Sequence, residues 1–203
     1  MKKSIRKIDF KKYFGEGLLI VFSVLFALFI NKTYEDAKIN KDKNNALKQI
    51  KAELIDNQKI LDEWIIDHES IIGNLDDLIQ RNNDSIPIVA ENKKFIQVPL
   101  ILDNKNLIDN PLSNSAWSSA QSIGIISEFD FKILQNISQA YELQQNISNV
   151  SIDKIAERIF LEFTNVDRVH AFLLELKIRF QNLQGQEYRL RELYRETINE
   201  LEG

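Results

Sequence analysis

Cysteine is absent from the 203 residues, so neither a disulfide nor a thiolate metal site contributes, although an oxidising compartment stays open to the chain. Three prolines and six glycines are too few to punctuate the turns of a sheet-rich fold. The two histidines, His68 and His170, form no H-x-x-x-H pair, which removes the usual helical zinc site. No glycine-rich phosphate loop and no G-x-S-x-G elbow is present, and the 30 acidic residues single out no carboxylate pair for acid–base work. Five N-x-S/T tripeptides, at Asn31, Asn83, Asn136, Asn146 and Asn149, would matter only on a eukaryotic secretory route. These absences predict a protein that is not an enzyme and takes no cofactor.

What is there begins with an uncharged apolar run: Leu18, Leu19, Ile20, Val21, Phe22, Val24, Leu25, Phe26, Ala27, Leu28, Phe29 and Ile30, interrupted only by Ser23. A bilayer span needs about 20 mainly apolar residues in a helix that satisfies its own backbone. Tyr13, Phe14, Gly15 and Gly17 extend the run upstream, at the cost of including Glu16, and predict a transmembrane helix over residues 13–31. Tyr13, Phe14 and Tyr34 then fall near the interfaces, where amphipathic rings are favoured. A cleaved signal peptide shares the basic start, but Ala27 with Leu25 two positions before it and Lys32 soon after makes a poor cleavage site, so a retained anchor is expected. Lys2, Lys3, Arg6, Lys7, Lys11 and Lys12 should hold residues 1–12 in the cytoplasm, although Lys32, Lys38, Lys41 and Lys43 flank the other side. The expected place is thus the inner membrane, with residues 32–203 periplasmic or extracellular.

With Asp9, that tail carries +5, which leaves −9 for the rest of a chain whose total is −4. A basic foot suits an anionic leaflet, while an acidic body argues against nucleic acid, so the lipid bilayer is the first expected partner. Glu16 reads either as a carboxylate at the water interface or as an acid that meets a partner subunit.

Beyond the anchor, Leu47, Ile50, Leu54, Asn57, Leu61, Trp64, His68, Ile71, Leu75 and Leu78 keep a 3-4 spacing, widened by Ile65, Ile72 and Ile79. That pattern predicts a long helix, continuing from the span to about Arg81 because no proline or glycine lies between Thr33 and Ile72. Asn57 and His68 break the seam, either fixing its register or, for His68, serving as a pH-sensitive group held by Asp67 or Glu69. Asn82 to Ser85 and Pro87 end the helix and open an irregular segment over residues 83–113. In it, Phe95–Val98 and Leu100–Leu102 read as short strands or an apolar flap around Pro99, and Phe95, Ile96, Leu100 and Ile101 are, with Glu16, the candidate partner contacts.

Asn114 or Ser115 is expected to cap a short helix carrying Trp117 and Ala120 and stopped by Gly124. Ser127 with Asp130 predicts the next start, followed by Phe129, Ile133, Leu134, Ile137, Tyr141 and Ile147 at helical spacing. Ser151 predicts another, with Ile152, Ile155, Ile159, Phe160 and Phe163 on one face. After a break at Thr164–Asp167, a long last helix runs through Val169, Leu173, Leu176, Phe180, Leu183, Leu190, Tyr194 and Leu201, crossed by Gly185. Trp117 and the phenylalanines at 160, 163, 172 and 180 read as core. Asp76–Asp77 and the charges near Arg189, Arg191, Glu192, Arg195 and Glu196 read as solvated faces. The fold class is therefore mostly α: a single N-terminal transmembrane helix, then an elongated antiparallel helical bundle with long first and last helices.

Gly15-Glu16, the apolar run, Ala27-Leu28-Phe29-Ile30-Asn31 and Glu35, with a second match at Ala116-Trp117, Ala120, Gly124-Ile125-Ile126 and Tyr141, carry a resemblance. They resemble small bacterial single-pass membrane proteins of a family defined only as a domain of unknown function. The resemblance implies an anchor with a helical body and no activity. Two functional classes follow: a membrane-anchored helical interaction or scaffold module of the bacterial envelope, binding a protein partner or weakly self-associating, and an extracytoplasmic ligand sensor or accessory subunit of a membrane complex.

Overall fold

The computed structural model describes residues 10–81, 87–90, 93–162 and 168–202, and the chain divides into two compact units, Met1–Asn45 and Ala46–Gly203. In chain order the elements are α1 (Phe10–Arg81), β1 (Pro87–Ala90), β2 (Lys93–Ile96), α2 (Val98–Ile101), α3 (Ser115–Ser122), α4 (Phe131–Asn146), α5 (Ile152–Glu162) and α6 (Val169–Glu200). A 3-10 turn, Ile125–Glu128, precedes α4, and a π turn, Ile147–Ser151, joins α4 to α5. The long helices predicted by the 3-4 spacing are found.

In the first unit the apolar side chains face outward: from Leu18 to Ile30 every large one is 52–68% exposed. An 18-residue window there has a mean hydropathy of 2.1, so by length and composition the helix can cross a membrane. Its hydroxyls are satisfied within the helix, Ser23 Oγ donating to Leu19 O at 2.8 Å and Thr33 Oγ1 to Phe29 O at 2.9 Å. An unpaired polar group in hydrocarbon would cost several kcal/mol.

The second unit is built on the α1 seam. Ile50, Leu54, Asn57, Leu61, Trp64, His68, Ile71, Leu75 and Leu78 are all buried, Leu47 partly so, and the chain's own residues cover them. Across from them α6 runs antiparallel: Lys51 meets Glu202, Asp62 meets Arg191, His68 meets Glu187 and Asp76 meets Lys177. Asp76 and Arg191 thus pair between helices, where the sequence suggested solvated faces. Phe172, Leu173, Leu176, Phe180, Leu183, Leu190, Leu193 and Tyr194 form the buried face of α6. Trp117 is buried and stacks on Tyr141, ring centroids 5.7 Å apart.

Several local expectations are corrected. β1 and β2 pair antiparallel, Pro87 opposite Ile96 and Ala90 opposite Lys93, so a small hairpin sits within the segment expected to be irregular, and of the Phe95–Val98 strand only Phe95 and Ile96 are found, in β2. Leu100–Leu102 is not a strand: Val98–Ile101 makes a helical turn with Pro99 at its start, where a missing N–H costs nothing. Gly124, at φ 75, ends α3 as expected. Asp130 alone caps α4, accepting from Lys132 N at 2.9 Å, because Ser127 turns its hydroxyl back to Gly124 O. As expected, α5 begins directly after Ser151, but a π turn leads into it with right-handed helical dihedrals at Asn146 and Ile152. Ile152, Ile155 and Ile159 are buried, but Phe160 is 82% exposed. It lies about 100° around the helix from Ile159, beyond the edge of the buried face. Phe163, Thr164–Asp167, Asn82–Ser85 and the basic residues up to Lys7 lie outside the described residues.

Candidate functional site

The polar residues of α1 converge on one segment, residues 97–114, which lies against the helix as a strap. Asn74 Nδ2 donates to the carbonyls of Leu100 and Ile101 at 2.7 and 2.9 Å, and Trp64 Nε1 donates to Asn110 O at 3.0 Å. His68 Nε2 lies 3.0 Å from Leu107 O. Asn57 grips Ser113 at both main-chain groups, donating to its carbonyl at 2.7 Å and accepting from its N–H at 2.8 Å. Most strap atoms held this way are main-chain carbonyls, which otherwise need water. Ser70 and Asp67 add side-chain ties to Asp103 and Lys105. Asp103 and Asn104 turn the strap with φ of 53 and 56, a left-handed conformation that Asp and Asn tolerate better than most residues.

At the strap's end Glu53 organises the start of α3. Its Oε2 accepts from Ser113 Oγ at 2.6 Å and from Ala116 N at 3.0 Å, and its Oε1 accepts from Tyr141 Oη at 2.6 Å. Asn114 occupies the cap position without a side-chain bond, so a carboxylate from another helix does the capping. Burial raises the Glu53 pKa, but the bonds from Ser113, Tyr141 and the main chain of Ala116 and Trp117 outweigh it and hold the carboxyl below its ordinary 4.5. Burial pushes the Tyr141 and Tyr194 hydroxyls up, leaving them as neutral donors. Gln144 completes the network, donating to Ser113 O at 2.9 Å while its Oε1 accepts from Tyr194 Oη at 2.7 Å.

His68 is held neither by Asp67 nor by Glu69. Its Nδ1 lies 2.7 Å from Glu187 Oε1 on α6, with both side chains at most 1% exposed. Asp67 pairs instead with Lys105, and Glu69 accepts from Tyr188 Oη. Phe180 closes over the ring at a centroid distance of 5.6 Å. Glu187 Oε2 is buried without a partner, as is Glu162 Oε2 on α5.

Of the candidate partner contacts, Glu16 is exposed in the first unit. Ile96 and Ile101 are each 1% exposed and belong to the chain's own core, while Phe95 and Leu100 are half-buried. Glu53, Ser113, Gln144 and Glu187 were not singled out from sequence. On the α5–α6 surface, Arg158 joins Glu162 to Glu175, which also holds Arg179, and the two arginines with Lys154, Glu157 and Leu161 line an open notch. Among the described residues no group of three or more His, Cys, Asp or Glu is placed to hold a metal ion. No family model, no curated protein and no solved structure matches the chain.

Proposed function

We propose that the chain is a single-pass, membrane-anchored helical module of the bacterial envelope that works through protein contact and not catalysis. One observation carries this reading: the apolar side chains from Leu18 to Ile30 are left outside, whereas the second unit buries its own apolar seam. A helix so exposed needs lipid or a partner around it. The basic N-terminus supports a cytoplasmic start, with residues 32–203 on the far side of the inner membrane. A ligand sensor calls for an apolar pocket with a few convergent polar groups. The α5–α6 notch is lined by four charged side chains and one leucine, which fits a contact surface better.

Topology tests the proposal directly, because a chain without cysteine accepts a unique label. A cysteine replacing Glu202 should react with an impermeant thiol reagent in intact spheroplasts, while one replacing Ser4 stays protected. The reverse pattern would overturn the orientation, and a mature N-terminus near Lys32 would replace the anchor with a cleaved signal.

A further inference from the structure

The His68 ring is wedged between two oxygen atoms that ordinarily accept hydrogen bonds. On one side Nε2 faces the Leu107 carbonyl of the strap at 3.0 Å, and on the other Nδ1 faces Glu187 Oε1 at 2.7 Å. A carbonyl has no proton to offer, so Nε2 must carry one. The 2.7 Å contact needs a second, since two lone pairs at that distance in a buried site repel. That second proton sits on Nδ1 as an imidazolium facing a carboxylate, or on Glu187 as a carboxylic acid facing neutral Nδ1. Either way the buried pair is electrically neutral and holds one proton more than neutral histidine beside ionised glutamate.

We propose that this proton is the latch of the strap: His68 and Glu187 bind it when residues 97–114 are closed over α1, and its loss releases the strap at Leu107. Removing it leaves one N–H for two acceptors. The ionised carboxylate is the stronger acceptor and keeps the N–H at Nδ1. Nε2 is then a lone pair pointing at the Leu107 oxygen, and the strap loses its tie at that point. The sign follows from proton counting: the closed form binds the extra proton, so rising pH favours opening, by a factor of about ten per pH unit for one proton.

Several charged groups on the three elements that meet there have their own partners, and the Glu187 charge also bears on the neighbouring Tyr188 hydroxyl. On α1, Asp67 pairs with Lys105 of the strap, and Glu69 accepts from Tyr188 of α6. Asp103 and Asp109 of the strap take Ser70 Oγ and Asn106 Nδ2, while Arg191 of α6 lies near Asp62 and over the Tyr188 ring. Opening would free a row of main-chain carbonyls and uncover polar α1 side chains. The compartment's acidity would thereby set which surface the second unit presents.

The test is amide hydrogen exchange of the full chain in detergent micelles, from about pH 6 to about pH 10. Exchange of strap residues 102–112 is read relative to the interior of α4 in the same sample, which cancels the intrinsic pH dependence. The ratio should rise about tenfold per pH unit over part of the range. In E187Q the glutamine amide donates to Nδ1 while Nε2 keeps its proton toward Leu107, so no titratable proton is needed and the ratio should stay flat. A flat ratio in the unsubstituted chain, or an equal rise in E187Q, would overturn the proposal. Should E187Q not fold, ring nitrogen-15 spectra of His68 in the unsubstituted chain decide. Nε2 should lose its proton as the strap opens, and an Nε2 still protonated beside an open strap overturns the latch.

Discussion

Glu53 reaches from α1 to Ser113, Ala116 and Tyr141, and that convergence gives a single carboxylate control over how α3 begins. Burial works against the charge, and the donors prevail, so the folded carboxyl titrates below 4.5. A group with a lowered folded pKa adds stability above its unfolded value and loses it as pH falls through the folded one. Thermal melts of the detergent-solubilised chain should therefore drop as pH falls below the ordinary carboxylate range. Glu53→Gln should shrink that drop and cost about 1–3 kcal/mol near neutrality, because an amide cannot accept all of these bonds. An unchanged acid limb in the variant would remove Glu53 from this role. The sequence made Asn57 and His68 visible as polar breaks in an apolar seam, but not their partners, since Glu187 lies 119 residues from His68. A sign was present in α6, where the apolar spacing lapses between Leu183 and Leu190 and Glu187 fills the gap. Periodicity marks a polar residue as facing inward without saying what it meets there.

Helices long enough to repeat their pattern were readable, and α1 and α6 lie where apolar spacing put them. The π turn was not. Ile147 and Ile152 are both buried, at 0% and 4%, although five residues separate them. An α-helix would set them about 140° apart, whereas one wider turn brings both to the core, and only packing against α6 reveals that choice. Ser151 marked where α5 begins, but not that a π turn precedes it. The hairpin was equally hard to place, because four-residue strands give little alternation to read. Of the helical glycines with nothing within 4 Å of where a Cβ would stand, two lie in the second unit: Gly73 in α1 and Gly185 in α6. Both keep negative φ, so alanine fits each without strain and restricts the unfolded chain. Each replacement should raise stability by about 0.5–1 kcal/mol, read from melts of the single and double variants. A loss at Gly185 would mean that another chain approaches α6 there.

For the whole molecule the question is whether the seam belongs to one chain. Leu61 is 0% exposed with a single chain present, so its neighbours are its own. Leu61→Ala should cost about 2–5 kcal/mol through the cavity it leaves. The decrease in melting temperature should be equal in dilute and concentrated samples, whereas a loss that deepens on dilution would assign the seam to two chains. The long apolar helix near the N-terminus was readable from composition alone, while the burial of Ile96 and Ile101 was not, since the same apolar letters serve a core or a contact surface. The strap's attachment has a further consequence for how the chain can change over generations. Asn57, Trp64, His68 and Asn74 hold main-chain carbonyls, which every amino acid possesses. Where only the carbonyl is held, as at exposed Asn110, many substitutions would leave the grip intact. A change at one of the four α1 residues removes it. The strap can therefore vary its outward side chains while its anchorage is inherited through α1.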